Sequence, residues 1–147
     1  MGLLDWQVVR VRGTSMRPAV SQGAWVIVSR AAYHRDPPRR FDVVRLADPR
    51  RPGAWAIKRV AGLPGEVVVL GPDGLFIDGE MVAEPHALTK NRAASRQWQV
   101  GTEQCFVLGD NRDHSTDSRH YGPVSLTSLT GRVTRVLGRN SSLLLFL

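Results

Sequence analysis

Three short segments of this 147-residue chain carry side chains whose types and spacing can do chemistry. The first is Arg12-Gly13-Thr14-Ser15-Met16-Arg17-Pro18. A serine set between a glycine and a proline-bearing turn can aim its hydroxyl and its own backbone N–H at one point. It stays a weak nucleophile until a base removes its proton. The second is Ala54-Trp55-Ala56-Ile57-Lys58-Arg59-Val60, running on to Ala61-Gly62-Leu63-Pro64-Gly65-Glu66. In a strand, Lys58 shares a face with Ala56 and Val60, while Trp55, Ile57 and Arg59 take the other. Small apolar neighbours desolvate an ammonium without neutralising it, which lowers its pKa. Moving a lysine from ~10.4 to the ~7–8 of a useful base corresponds to roughly 4 kcal/mol of differential interaction. The third is Gly109-Asp110-Asn111-Arg112-Asp113-His114-Ser115-Thr116-Asp117-Ser118-Arg119.

Each segment has an ordinary alternative. Ser15 is one of ten serines, and a turn serine commonly bonds its own backbone. A lysine on an edge strand can snorkel to water. The third segment reads equally as a polar loop of Asx-turns. Alternating Asp113, Ser115 and Asp117 also suggest calcium, but Ser118 stands where the loop glycine belongs and Val124 replaces the terminal glutamate. Arg112 and Arg119 would repel a cation as well. A better reading than either is a rigid platform of interlocked carboxylates and guanidiniums that presents Ser115.

The elements that must position these residues are strands. Two-residue periodicity marks 7–12, 24–29, 42–46, 55–60, 66–70, 75–77, 80–82, 104–108 and 131–137. Leu63-Pro64-Gly65-Glu66 places Pro and Gly for a type II turn. Pro72-Asp73-Gly74 and Asp78-Gly79 are hairpin signals, so residues 66–82 should form a three-stranded meander. Residues 84–97 look like a polar surface excursion, and 125–129 has room for one short helical turn. The expected fold is all-β, built of antiparallel sheets with a hairpin meander.

Length and composition set further bounds. The chain suits one domain over 1–147, with 42% hydrophobic and 22% charged residues. The net charge is +7, and Lys58 and Lys90 are the only lysines among 20 basic residues. Such a balance favours anionic partners, although the arginines are scattered rather than striped. Cys105 has no partner for a disulfide. The longest apolar runs, 24–28, 67–70 and 143–147, fall well short of the ~20 residues that span a bilayer. The start, Met1-Gly2-Leu3-Leu4-Asp5-Trp6, lacks the basic opening of a signal peptide. His34, His86, His114 and His120 have no metal-ligand spacing with Cys105, so neither a metal nor another cofactor is expected. Trp6, Trp25, Trp55 and Trp98 read as core or strand-face residues; Trp6 and Trp25, if exposed near the active face, would suit a membrane interface.

Taken together, the three segments resemble type I signal peptidases, the serine–lysine proteases that remove leader peptides from exported proteins. The likeness rests on Gly13-Thr14-Ser15-Met16-Arg17-Pro18, on Lys58-Arg59-Val60-Ala61-Gly62-Leu63-Pro64-Gly65-Glu66 and on residues 109–119, in the family's order. The closing Tyr121-Gly122-Pro123-Val124 is similar to the mitochondrial inner-membrane members. The resemblance implies Ser15 as nucleophile and Lys58 as general base, with Ser115 hydrogen-bonding and orienting the lysine. It implies an ion pair between Arg59 and Asp110, and loop supports in Arg112, Asp117 and Arg119. The Ser15 backbone N–H would give one donor of the oxyanion hole. Expected substrates are precursor polypeptides whose leaders end in Ala-x-Ala, lying extended beside the strands before Ser15 and Lys58. Expected surroundings are the cytoplasmic membrane, with the domain on the extracytoplasmic side and held by the membrane surface or an anchored partner. Nucleic acid is not an expected partner.

This sequence also departs from the family pattern. Gly13 stands where some members offer a serine hydroxyl to the oxyanion hole. Ala19 replaces a frequent threonine, His114 a frequent asparagine, and Phe41 a usual glycine. Most members carry transmembrane helices before the serine, and no such helix is expected in this chain, which implies peripheral docking, a partner anchor or a truncated form. Other readings are a maturation protease for a single client, a triad of Ser15 with His120, or a self-cleaving repressor lacking its DNA-binding helices. From another class comes a non-catalytic basic β-domain that binds nucleic acid or lipid.

Overall fold

Valine-rich segments punctuated by glycine turns pleat into two antiparallel sheets. The computed structural model describes residues 5–138 and the strand backbone of Leu144–Phe146, so the chain start and most of the apolar run 143–147 lie outside the described residues. The first strands are β1 (Trp6–Arg10), β2 (Trp25–Ser29), β3 (Val43–Ala47) and β4 (Trp55–Gly62). Then come β5 (Val67–Gly71), β6 (Gly74–Ile77), β7 (Glu80–Val82) and β8 (Arg96–Gln99). β9 (Gln104–Leu108), β10 (Val124–Ser125), β11 (Leu129–Leu137) and β12 (Leu144–Phe146) complete the set.

The larger sheet has the order β1-β2-β11-β3-β4-β9-β10, with β12 also paired to β11. The smaller has the order β7-β6-β5-β8. Alternation along β3 and β4 divides the core. Val43 and Ile57 pack with Val9, Val26, Val28 and Val133 in one cluster. Val44 and Val60 pack with Leu46, Cys105 and Val107 in another. A third cluster, with Phe106, Leu108, Val68 and Leu75, joins the small sheet to the end of the large one. Burial pushes the Cys105 thiol up to about 12, which leaves it a core side chain rather than a nucleophile.

The expected meander is present as β5-β6-β7, turned at Asp78 and Gly79 with φ of +50° and +84°, the backbone of a type I′ hairpin. Gly65 has φ +82° and the Glu66 N–H donates to the Leu63 carbonyl at 3.2 Å, as a type II turn requires. The 3₁₀ turn Leu126–Ser128 occupies the expected short helical turn.

Other readings need correction. Residues 84–97 are not wholly a surface excursion. They lead into β8, which pairs with β5 and lays Trp98 against Phe106 with ring centroids 4.8 Å apart. The sequence also hides a short helix, α1 (Ser118–Tyr121), which Asp117 starts as N-cap. It buries too little apolar surface to show helical periodicity. Phe106, fully buried where the sheets meet, sets a stability test. Phe106→Ala should lower the unfolding free energy by about 3–5 kcal/mol in urea denaturation.

Candidate active site

The segment after β1 makes a turn held at both ends. Met16, only 2% exposed, anchors it in the first core cluster. The Arg17 N–H donates to the Thr14 carbonyl at 3.2 Å and the Val20 N–H to the Met16 carbonyl at 2.8 Å. From the 109–119 loop, Asn111 donates its backbone N–H to the Ser15 carbonyl at 2.9 Å and its Nδ2 to the Thr14 carbonyl at 3.1 Å. The backbone that carries Ser15 is thus fixed from two directions.

Strand β4 supplies its partner. Lys58 sits opposite Val44 in the β3–β4 ladder and is 5% exposed. Its Nζ donates to Ser15 Oγ at 2.8 Å, across 43 positions of sequence. Burial lowers the Lys58 pKa below 10.5, outweighing the pull of Asp117 and Asp48 in the opposite sense. No carboxylate pairs directly with this amine among the described residues. The arrangement sets a buried amine of lowered pKa against a hydroxyl.

Asp117 organises the loop behind that pair. Its side chain is fully buried. Burial alone would raise its pKa, but Arg119, the Gly109 N–H and the Ser115 hydroxyl together hold it below the usual carboxylate value. Arg119 donates Nε to Oδ1 at 2.9 Å and Nη2 to Oδ2 at 3.0 Å, Gly109 N–H reaches Oδ2 at 3.0 Å, and Ser115 Oγ donates to Oδ2 at 2.8 Å. The bond that Ser115 donates therefore goes to Asp117, which leaves its oxygen as an acceptor, and among the described residues Lys58 Nζ bonds to Ser15. Ser115 still lies close to the turn that carries Ser15. A Cβ at Gly109 would fall 2.1 Å from Ser115 Oγ and 2.8 Å from the Ser15 carbonyl oxygen, so only glycine lets the loop approach.

Arg59 and Asp110 form a bidentate pair, Nε to Oδ1 at 2.9 Å and Nη2 to Oδ2 at 2.8 Å. Arg59 Nη1 also reaches the Phe41 carbonyl at 3.0 Å. Phe41 takes φ +70°, so the position where the family usually has glycine keeps a left-handed backbone in this chain. Arg112 donates Nε to the Gly109 carbonyl at 2.9 Å and pairs through both terminal nitrogens with Glu84. Asn91 Oδ1 accepts from Arg119 Nη1 at 3.3 Å, and the Leu88 N–H donates to the Asp110 carbonyl at 2.8 Å.

Glu84, Asn91 and Asn111 were missed as site residues by sequence reasoning. Glu84 and Asn91 lie in the segment read as an excursion, and each meets a partner 28 positions away, beyond any local pattern. One readable signal was passed over. Asp117 and His120 stand at the N-cap and N3 positions of a capping box that starts α1. His120 Nδ1 accepts from the Asp117 backbone N–H at 3.2 Å, which places this histidine in the cap, whereas the Ser15 hydroxyl is bonded to Lys58.

A cleft of about 880 Å³ opens at Ser15 and Lys58. Residues 10–13 form one wall and 54–58 the other. Val11 spends its backbone groups on Gly23 and Ala24, which turns those of Arg10 and Arg12 toward the cleft. β4 meets β9 only from Arg59 onward, so 54–57 has a free edge as well. A trench between two free strand edges accepts an extended peptide.

The antiparallel β fold, with a serine hydroxyl and a buried amine at the head of a peptide-sized cleft, agrees with the class that its relatives define, a serine endopeptidase. Over residues 2–137 the chain matches the family described as signal peptidase, peptidase S26, and it belongs to that family. It is 33% identical over 139 residues to signal peptidase I V of Bacillus subtilis (strain 168), covering 85% of this chain and 82% of that protein. It is 34% identical over 137 residues to signal peptidase I of Bacillus caldolyticus, covering 84% and 74%. A crystal structure of a signal peptidase I from Enterococcus faecalis V583 superposes with a TM-score of 0.58 at 33% identity, over 67% of this chain and 98% of that one.

Two outcomes are expected. Glu84→Ala leaves the 3%-exposed Arg112 side chain without its carboxylate, and should cost about 3–5 kcal/mol in chemical denaturation. A lowered Lys58 pKa means the unfolded chain binds more protons between the folded value and 10.5. Stability therefore gains a component that rises with pH across that window. Denaturation of Lys58→Met over the same pH range should lack it.

Proposed function

We propose that the protein cleaves signal (leader) peptides from membrane-targeted or exported precursors, using Ser15 as nucleophile and Lys58 as general base. The observation that carries this reading is the 2.8 Å bond between Lys58 Nζ and Ser15 Oγ with the amine buried. Neutral Lys58 takes the Ser15 proton as Oγ attacks the scissile carbonyl. The protonated amine then donates to the leaving nitrogen, and a water activated by the same lysine hydrolyses the ester. Among the described residues, the Ser15 N–H donates to no protein acceptor, which fits a role as oxyanion donor. Gly13 offers no side-chain hydroxyl as a second. Asp117 and Arg119 hold Ser115 and the loop, while Arg59–Asp110 and Arg112–Glu84 fix its base.

Substrate would add as a strand in the trench, main-chain bonds giving affinity and small side chains being chosen by the room beside Ala54 and Ala56. The expected preference is for small residues at the first and third positions before the cut. Membrane association, general in this family, has a plausible surface here. The β1–β2 register puts Trp6, Val8 and Trp25 on one outward face, at 42%, 55% and 45% exposure. No helix among the described residues is long and apolar enough to cross a membrane. Placement on the extracytoplasmic side belongs to this same reading.

The test is cleavage of a precursor whose leader ends in Ala-x-Ala. Folded Ser15→Ala and Lys58→Met variants should each lose about 10³-fold or more in kcat/KM, and retained cleavage by either refutes the dyad. The pH–rate profile should rise along its acid limb through a lysine pKa below 10.5.

A further inference from the structure

The cleft carries positive charge that the chemistry above does not use. Arg10 and Arg12 stand along one wall, and Arg50 and Arg51 stand beyond β3, in the turn that leads into β4, on the other. All four are exposed, and none forms an ion pair among the described residues. Arg10 reaches only the Gly23 carbonyl, at 3.4 Å, and lies 6.0 Å from the Trp25 ring centroid. Among the described residues the single carboxylate lining the cleft is that of Asp48, whose Oδ1 accepts the Arg50 backbone N–H at 2.9 Å. Arg10 shares the outward β1–β2 face with Trp25, so it is Arg12, Arg50 and Arg51, set against the Asp48 carboxylate, that leave the trench positive.

From this we infer that the cleft holds a subsite for acidic side chains, so that the enzyme selects peptides with Asp or Glu about four to six residues before the cut and disfavours Lys or Arg there. The inference rests on the proposed function for the direction in which substrate lies. Arg12 and Arg10 precede Ser15 by three and five positions, which at ~3.3 Å per residue of extended chain places them roughly 10–17 Å along the wall. Guanidinium forks pair with carboxylates in bidentate fashion, and a recess concentrates their field relative to an outer face. An anionic membrane would meet arginines on a convex surface. Arg12, Arg50 and Arg51 instead border a trench with free backbone edges, which suits a peptide.

The experiment uses three fluorogenic peptides with the same Ala-x-Ala end, carrying Glu, Ser or Lys at the fifth and sixth positions before the cut. Wild type should cleave the Glu peptide with kcat/KM about tenfold above the Lys peptide at low salt, a gap that narrows as salt screens it. The Arg50→Glu/Arg51→Glu variant should shrink or invert that ratio, with Arg12→Gln as a milder check. Binding of the same peptides to folded Ser15→Ala, read by fluorescence anisotropy, separates this idea from the proposed activity. Tighter binding of the Glu peptide without any cleavage by wild type would uphold the subsite and sink the dyad. Equal kcat/KM and equal binding for the three peptides would overturn the subsite. So would arginine-dependent binding to phosphatidylglycerol vesicles accompanied by no discrimination among peptides.

Discussion

The architecture depends on one unusual requirement: an amine must be buried against a hydroxyl without a carboxylate beside it. An ammonium in that position would draw a counter-ion, and among the described residues no carboxylate pairs directly with Lys58 Nζ. Lys58 is instead placed in mid-strand, opposite Val44 and between Ala56 and Val60, where its stem is packed and its head meets Ser15 Oγ at 2.8 Å. Desolvation then favours the neutral form. Asp117 and Asp48 act on the amine in the opposite sense without overcoming burial, and Asp117 is occupied by Arg119, Gly109 and Ser115.

Holding that amine against the hydroxyl demands a rigid surround, and the loop after β9 provides it by closing its own polar groups. Asp117 is saturated by five donors from Gly109, Ser115 and Arg119. Asp110 is taken by Arg59, and Arg112 by Glu84 and the Gly109 carbonyl. Buried pairs of this kind give little net stability compared with apolar packing, but losing one member is costly. Their effect is geometric. Through Asn111 they fix the Ser15 carbonyl, and through Ser115 and Gly109 they set how near the loop comes to the turn that carries Ser15. The small sheet takes part because Glu84, Leu88 and Asn91, which leave β7, reach back to this loop.

Much of the fold was legible because strand periodicity, a Pro-Gly turn and an Asp-Gly hairpin are local signals. Residues 66–82 illustrate this, since alternation and turn chemistry there agree with the pairing observed. β8 was not legible, because Arg96, Gln97 and Gln99 are polar and exposed and only Trp98 packs on the core. Helix α1 escaped for a related reason, being four residues long and stabilised by its cap rather than by an apolar face. At the site, residue types and motif context picked out Ser15, Lys58 and the 109–119 loop. They could not pick out the donor geometry of Ser115, which depends on where Asp117 ends up.

Taken alone, the sequence determined the strand-rich class, the family resemblance and the candidate site residues, since these follow from periodicity, turn residues and motifs read along the chain. Tertiary structure decided the rest: that Lys58 is buried, that its amine meets Ser15, that Ser115 donates to Asp117, and that Glu84 and Asn91 support the loop. It also decided that Arg10, Arg12, Arg50 and Arg51 border one trench. The reason is physical. Burial, hydrogen-bond partnership and local field are set by groups tens of positions away, and β3, β4, β9 and β11 bring those groups together only when the sheet closes.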